Sequence, residues 1–162
     1  MTAAGRNQKS ERRANLSSHR GTKQITESLK FAFGNFSTEV WSFSEEEFHS
    51  LKSSLVLLVP EDLKRWLPGV LERIYSDAQK DERLVAFDDL IIYLLDGLYL
   101  GRSEGDRAYM QPRQAELFVG FSAREAAGIV KWLEAVEEFS FVQICPADYE
   151  SALRFWRGKA AN

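Results

Sequence analysis

The sequence predicts an all-α fold, a compact and irregular domain of about five or six helices that follows a disordered N-terminal tail. Two Ser-x-x-Glu capping boxes mark helix starts at Ser44 and Ser122. Apolar residues recur at three- and four-residue spacing over much of the chain. All twenty aromatic residues (four Trp, five Tyr and eleven Phe) lie at or beyond Phe31. We therefore divide the 162 residues into a basic tail at 1–24, a single helical domain at 25–158 and a frayed C-terminus at 159–162.

The tail is strongly basic. Its six basic residues accompany one acid, Glu11, so residues 1–24 carry a net charge of +5; because the whole chain carries −3, the remainder carries −8. Without an aromatic side chain to stack on a base, such a segment supports only a weak, sequence-independent contact with nucleic acid. It also lacks the apolar helical face of a transit peptide. The candidate contact residues of the tail are Arg6, Lys9, Arg12, Arg13, Arg20 and Lys23.

The domain begins with a short amphipathic helix. Ile25, Leu29 and Phe33 fall four residues apart on one helical face, and Gly34 provides a C-terminal stop. Residues 36–43 alternate less regularly. We predict that they form an extended connection that places its aromatic side chains under the core.

The next helix is predicted to begin at Ser44. The Ser44 hydroxyl can accept the backbone amide of Glu47, whose carboxylate can reach back to the amide of Ser44. Three consecutive acids at 45–47 complement the positive end of the helix dipole. We interpret these acids as a helix start and not as a metal site.

A third helix is predicted to begin at Pro60, whose fixed backbone angle suits the first turn. Glu61 and Asp62 follow as favourable acids. Pro68 falls inside the apolar pattern of this helix, where it removes one backbone hydrogen bond and clashes with a preceding carbonyl. We therefore predict a kink or break near residues 66–69.

Residues 84–99 are the most apolar stretch, and their spacing predicts a helix at the centre of the core. Three acids interrupt it. Asp88 and Asp89 fall in the first turn, where the dipole favours them, whereas Asp96 lies near the end, where an acid is mildly unfavourable. Together with Tyr93, these three acids are the candidates for a ligand-binding or catalytic pocket.

A polar segment follows from Gly101 to Pro112. It has no sustained apolar period, and its Gly and Pro residues are typical of a loop. We predict a loop that is long enough to contact a partner.

The second capping box, Ser122 with Glu125, opens a helix with one continuous apolar face. The C-terminal end of this helix carries Glu134, Glu137 and Glu138. The dipole favours cations there, and Glu134 and Glu138 repel each other at four-residue spacing. We predict that this acidic end meets either a basic partner or an Arg from elsewhere in the chain.

The chain closes with one more helix. Phe139 to Cys145 is interpreted as a short apolar connection with a single extended strand, and Pro146 then begins the last helix. Tyr149 and Trp156 lie on its apolar face, at a spacing that predicts packing against the core.

Two sequence segments together resemble a known family. The first is Val59-Pro-Glu-Asp-Leu-Lys-Arg-Trp-Leu-Pro-Gly69, and the second runs from Phe118 to Trp132 and contains the capped helix. They are similar to a bacterial family of small helical proteins, the domain of unknown function 6714, over about residues 25–138. The family has alanine where Gly69 stands. The resemblance implies a bacterial, helical protein and brings no established activity with it.

Few signals indicate an enzyme. Cys145 is the only cysteine, which excludes an intramolecular disulfide and a paired-cysteine metal site. His19 lies in the tail, and His49 stands alone on a charged helix. Neither a phosphate-binding glycine loop nor a nucleophile motif is present. We predict no catalytic residue, no metal ligand and no cofactor.

The expected compartment is the cytoplasm. No stretch reaches the roughly 20 apolar residues that cross a bilayer, and the N-terminus lacks the apolar region of a secretory signal. We therefore predict a protein without membrane contact.

A binding role is the prediction that follows. The acidic body with Glu134, Glu137 and Glu138 favours a non-enzymatic protein-interaction or regulatory module with a basic partner, for example a toxin in an immunity pair. Two alternatives stay open. One is a small-ligand-binding protein or enzyme with an acidic pocket around Asp96 and Tyr93, and the other is a nonspecific contact with nucleic acid through the tail.

Overall fold

A computed structural model describes residues 21–34, 36–86, 88–98 and 103–162. Within these ranges every regular element is a helix and none is a strand, which confirms the all-α prediction. Three short 3₁₀ segments separate the α-helices, at Glu39–Ser42, Leu55–Leu57 and Glu82–Val85. The α-helices are α1 (21–33), α2 (Glu45–Ser54), α3 (Pro60–Lys80), α4 (Asp89–Leu95), α5 (Glu104–Val119), α6 (Ala123–Val136), α7 (Ser140–Gln143) and α8 (Pro146–Ala160).

These eight α-helices in the described ranges exceed the predicted five or six. Two of them, α4 and α7, have seven and four residues, which is too short for a helical period to stand out in the sequence. The apolar connection after Phe139 therefore contains α7 and no strand. Likewise, among the described residues of the predicted core helix at 84–99, only Asp89–Leu95 is α-helical.

The predicted loop at 101–112 is wrong from Glu104 onward, because α5 begins there. The hydroxyl of Ser103 accepts the amide of Asp106 at 3.2 Å and caps this helix. Ser103 and Asp106 stand at capping-box spacing, which is the signal for a helix start that the polar composition concealed. Pro112 lies inside the helix and does not end it.

Both ends of the domain extend beyond their predicted limits. Helix α1 includes residues 21–24, which were assigned to the tail, and α8 continues to Ala160. Lys23 lies on α1, 3.9 Å from Glu27 one turn later. The other predicted tail contacts lie outside the described residues: Arg6, Lys9, Arg12, Arg13 and Arg20.

Helix α3 runs through Pro68 without a break. At this point the chain segment before α2 crosses the helix: the N–H of Ser37 donates to the carbonyl of Arg65 at 3.2 Å. Gly69 makes the crossing close enough, since a Cβ at that position would lie 2.5 Å from the Ser37 carbonyl oxygen. The Pro-Gly step is therefore the place where residues 36–38 are attached to α3.

The segment between this crossing and α2 is not the extended connection that was predicted. It contains the 3₁₀ helix Glu39–Ser42, and Trp41 on it remains 43% exposed. The buried guanidinium of Arg73 on α3 donates to the carbonyls of Val40 and Phe43 at 2.6 and 2.9 Å. These bonds fix the position from which α2 starts.

The two predicted capping boxes are present. Ser44 and Glu47 exchange their bonds at the start of α2, and Ser122 and Glu125 do so at the start of α6. The amide of Ser122 donates to the Glu125 carboxylate at 2.7 Å. Local sequence signals therefore set the starts of both helices.

The centre of the core lies where α6 packs on α8. Trp132 on α6 and Trp156 on α8 are fully buried. Their indole N–H groups donate to the carbonyls of Leu71 and Leu95 at 2.7 and 2.9 Å. Each large aromatic side chain thus buries its apolar area and also satisfies its one polar atom.

Candidate functional site

The structure separates the four residues that were predicted to form an acidic pocket. Asp96, at the C-terminal end of α4, is fully buried and accepts bonds from the Ser151 hydroxyl and from the Leu98 amide. Asp88 is buried at the other end of α4, and Asp89 is partly exposed in its first turn. Tyr93 lines a groove that includes none of the three acids.

This groove lies between α2, α4 and α5, and we call it the α2–α4–α5 groove. Its volume is about 310 Å³. Most of its lining is apolar, with a few polar side chains, which is the composition usual for ligand sites. Its lining residues are Lys52, Ser53 and Val56 from α2 and the segment after it, Leu90, Tyr93 and Leu94 from α4, and Met110 and Gln114 from α5.

A buried ion pair joins two walls of the groove. The Lys52 ammonium on α2 donates to the Asp88 carboxylate, and their side chains are only 9% and 2% exposed. Burial raises the pKa of Asp88 above its ordinary value, and the hydrogen bond and charge of Lys52 oppose part of that rise. Lys52 also lies 4.7 Å from the ring centre of Phe48. The lysine therefore acts mainly as a connection between α2 and α4.

Gln114 joins α5, which forms the third wall of the groove, to α4. Its Nε2 donates to the carbonyls of Tyr93 and Leu94 at 2.9 and 2.8 Å. These carbonyls lie in the last turn of α4, where no further helical amide can reach them. Gln114 is 1% exposed, and its Oε1 is buried with no hydrogen-bond partner in the described part of the chain.

A second polar contact anchors the same helix. Arg113 donates from Nε to the Val56 carbonyl at 3.2 Å and from Nη2 to the Leu58 carbonyl at 2.8 Å. Two adjacent side chains of α5 therefore hold different segments: Arg113 binds the chain after α2, and Gln114 binds the end of α4. The groove is bounded by walls that are bonded to one another.

Lys52 and Gln114 were not predicted as site residues, although helical spacing places both on buried faces. Lys52 follows Phe48 by four residues, and Gln114 precedes Leu117 and Phe118 by three and four. Because α5 was predicted to be a loop up to Pro112, this spacing was not applied to Gln114. No sequence signal shows that the two side chains face the same groove.

The predicted acidic surface lies at the C-terminal end of α6, away from the groove. Glu134 is paired with Arg157 of α8 at 2.8 Å, so an Arg of the chain itself meets this acid. Glu137 and Glu138 are exposed and have no ion pair within the described ranges. Beneath them, burial and the nearby Glu137 raise the pKa of Tyr149 to about 12.

Two kinds of feature are absent from the described residues, a metal-binding cluster and a membrane-spanning helix. No group of three or more His, Cys, Asp or Glu side chains there is placed to hold a metal ion. Among the same residues, no helix is both long and apolar enough to span a bilayer.

The comparisons with known proteins found no match: no family model, no curated protein and no solved structure is similar to this chain. The resemblance to the domain of unknown function 6714 therefore stays a prediction. The geometry of the chain itself is the basis for the functional conclusion.

Proposed function

We propose that the protein is a non-enzymatic binding module and that the α2–α4–α5 groove is its binding site. The observation that supports the proposal is an apolar groove of about 310 Å³, a volume usual for ligand sites. Its walls are joined by the Lys52–Asp88 ion pair and by the two bonds of Gln114 to α4, so the groove is held open by contacts that a ligand does not have to make.

Binding is favoured over catalysis because the candidate catalytic acids have structural partners. Asp88 is held by Lys52, and Asp96 is bonded to Ser151 inside the core. Neither carboxylate lines the groove. The groove therefore presents apolar surface, a few neutral polar side chains and a lysine that is already paired, which suits recognition better than proton transfer.

Blocking the groove tests the proposal. Ser53 is exposed and lines the groove, so Ser53→Phe places a ring in it with little disturbance of the core. Ser50→Phe adds the same ring to an exposed position of α2 that does not line the groove. Indole is titrated into ¹⁵N-labelled protein, and amide shifts are followed by NMR.

We expect indole to shift the amides of Ser53, Tyr93 and Met110 in the wild type and in Ser50→Phe. In Ser53→Phe these shifts should be lost while the rest of the spectrum keeps its native dispersion. Shifts that are scattered over the surface, or that persist in Ser53→Phe, would contradict the groove as the binding site.

A second candidate function has its own observation. Glu137 and Glu138 are exposed without an ion pair among the described residues, as a surface for a basic protein partner would require. A lysine-rich peptide should then bind with a strong dependence on salt, and Glu137→Gln with Glu138→Gln should weaken it. Equal binding by the wild type and the double variant would remove this candidate.

A further inference from the structure

We propose that residues 1–20 of the chain bind to its own acidic surface at the C-terminal end of α6. This inference does not depend on the α2–α4–α5 groove. It concerns the surface of the second candidate function, because it names a segment of the same chain as the basic occupant of that surface. The place where this segment joins the domain, its charge and its length each support one part of the proposal.

The described chain begins beside the acidic surface. Gly21, the first residue of α1, lines a hollow of about 380 Å³ together with Tyr75 of α3 and Glu134 of α6. A Cβ on Gly21 would lie 2.7 Å from the Tyr75 hydroxyl oxygen, so α1 begins in close contact with α3. The ring of Tyr75 packs on that of Phe139, with 5.9 Å between the ring centres, and Phe139 directly follows Glu138. The preceding segment therefore joins the domain at the end of α6 that carries the exposed acids.

This end of α6 has negative charge that the described residues do not neutralise. Arg157 is paired with Glu134 at 2.8 Å, and Lys131 lines the hollow about one turn before Glu134. Glu137 and Glu138 lie beyond both cations, are exposed, and have no ion pair in the described ranges. The unsatisfied carbonyls in the last turn of α6 add partial negative charge. A basic segment at this end would offset both contributions.

A further acid is held at the same place. The amide of Ser140, two residues after Glu138, donates to the exposed Glu82 carboxylate at 3.1 Å. Acids from two separate parts of the chain therefore lie close together around the end of α6. Their mutual repulsion is relieved when a cation is placed between them.

Two helix ends of opposite polarity lie next to each other at the hollow. The start of α1 is flanked by Arg20 and Lys23, although the dipole favours acids at a helix start. The end of α6 carries Glu137 and Glu138, although the dipole favours cations at a helix end. Each charge pattern is unfavourable within its own helix. Contact between the basic residues and the acids offsets both.

The segment has the charge and the length that this surface requires. Residues 1–20 contain five basic residues and one acid, a net charge of +4. Arg12 and Arg13 are adjacent, and Arg13 precedes Gly21 by eight residues, which span at most about 28 Å. An exposed ion pair contributes little by itself. A tethered segment, however, meets the surface at an effective concentration on the order of mM, which favours it over a separate basic peptide.

A spin label in residues 1–20 tests the proposal in the full-length chain. Ser10→Cys carries the label. Cys145→Ser removes the native cysteine, and its hydroxyl can donate to the Phe141 carbonyl as the thiol does. Paramagnetic broadening of the backbone amides is measured by NMR at about 0.01 M and about 1 M salt, where the Debye length is about 30 Å and about 3 Å.

Two variants of equal charge change are compared in this background. Glu137→Gln with Glu138→Gln removes two acids from the proposed surface. Glu104→Gln with Glu116→Gln removes two exposed acids from α5, which ends just before α6 begins and therefore lies at the opposite end of α6. The second variant is the matched control for the loss of negative charge.

We expect the amides of residues 135–139 to be broadened about threefold more at low salt than at high salt. Glu137→Gln with Glu138→Gln should show the weaker broadening already at low salt, whereas the α5 variant should behave like its parent. Broadening that is independent of salt, or equal in the parent and the acidic-surface variant, would overturn the proposal, because the tether alone would then bring the label close.

A mixed sample separates binding within one molecule from binding between two. Spin-labelled protein without ¹⁵N is added to ¹⁵N-labelled protein without the spin label. The proposal predicts little broadening of residues 135–139 in this mixture, and broadening as strong as in the single molecule would overturn the intramolecular contact. Neither result affects the groove, which the indole titration tests separately.

Discussion

The α6–α8 core and the α2–α4–α5 groove are held together by different kinds of polar contact. In the core, Trp132, Tyr149 and Trp156 each donate to a backbone carbonyl. Beside the groove, the Oε1 of Gln114 has no donor in the described structure, and a buried ion pair joins α2 to α4. The core is therefore held by neutral contacts of aromatic side chains, whereas the groove region depends on a buried pair of charges, and removing one of them leaves the other unpaired.

The largest effect should come from removing a core side chain. Trp156→Ala deletes a fully buried indole. The centre of its ring lies 4.9 Å from the ring centre of Phe118 and 5.4 Å from that of Phe121. We expect a loss of about 3–5 kcal/mol in the free energy of unfolding, measured by urea denaturation. Trp41→Ala, at a residue that is 43% exposed, should cost about 1 kcal/mol. Similar losses in the two variants would contradict the placement of the core.

In the groove region, the corresponding change is Lys52→Met, which leaves the carboxylate of Asp88 buried and unpaired. We expect a loss of about 3 kcal/mol at pH 7 in the same assay. Burial already holds the pKa of Asp88 above its ordinary 3.8, and removing Lys52 raises it further. Because the folded state then retains the proton longer than the unfolded state, the variant should regain stability as the pH falls toward 4.

A second change provides the control for this prediction. Adding Asp88→Asn to Lys52→Met removes both charges, so most of the lost stability should return, and the added pH dependence should disappear. A double variant that stays as unstable as Lys52→Met would show that packing by the lysine stem, and not the buried charge, causes the loss.

A smaller effect is expected at the crossing of residues 36–38 over α3. Gly69→Ala places a Cβ about 2.5 Å from the Ser37 carbonyl oxygen, so one backbone must move. The expected cost is about 2 kcal/mol in the free energy of unfolding. Gly158→Ala on α8 meets no atom within 4 Å and should stabilise by about 0.5–1 kcal/mol. If both variants are stabilised, the two segments are not in contact there.

The smallest effect concerns alkaline pH. Burial first, and then Glu137, raise the pKa of Tyr149 to about 12, above its ordinary value of 10.0. Between these values the unfolded chain releases the phenol proton and the folded chain keeps it, so stability should fall as the pH rises from 10 to 12. Tyr149→Phe should reduce this fall when thermal midpoints are compared across that range. An unchanged pH profile would mean that Tyr149 titrates normally.

The helix starts show how much of the fold could be predicted from the sequence. The capping boxes at Ser44 and Ser122 were identified because a cap is complete within four residues. Helix α5 was missed because Pro112 and a polar composition outweighed the helix-start signal of Ser103 with Asp106. A local pattern predicts a helix start correctly when no second pattern in the same segment opposes it.

The groove could not be predicted, since its residues come from three helices that only tertiary packing brings together. Lys52 and Asp88 are 36 positions apart, and Gln114 and Tyr93 are 21 apart. The acids Asp88 and Asp96 are close in sequence, yet α4 turns one toward Lys52 and the other toward Ser151. Sequence proximity suggested one acidic pocket, and helix geometry separates the two acids.

The crossing at Pro68 and Gly69 has a consequence for hydrogen exchange. Ser37 lies in no regular element, yet its amide is bound to the Arg65 carbonyl on α3. Its amide proton should exchange with deuterium slowly, at a rate set by the detachment of residues 36–38 from α3 rather than by local fraying. This one amide would report whether the chain leading into α2, and thus one wall of the groove, is seated on the rest of the protein.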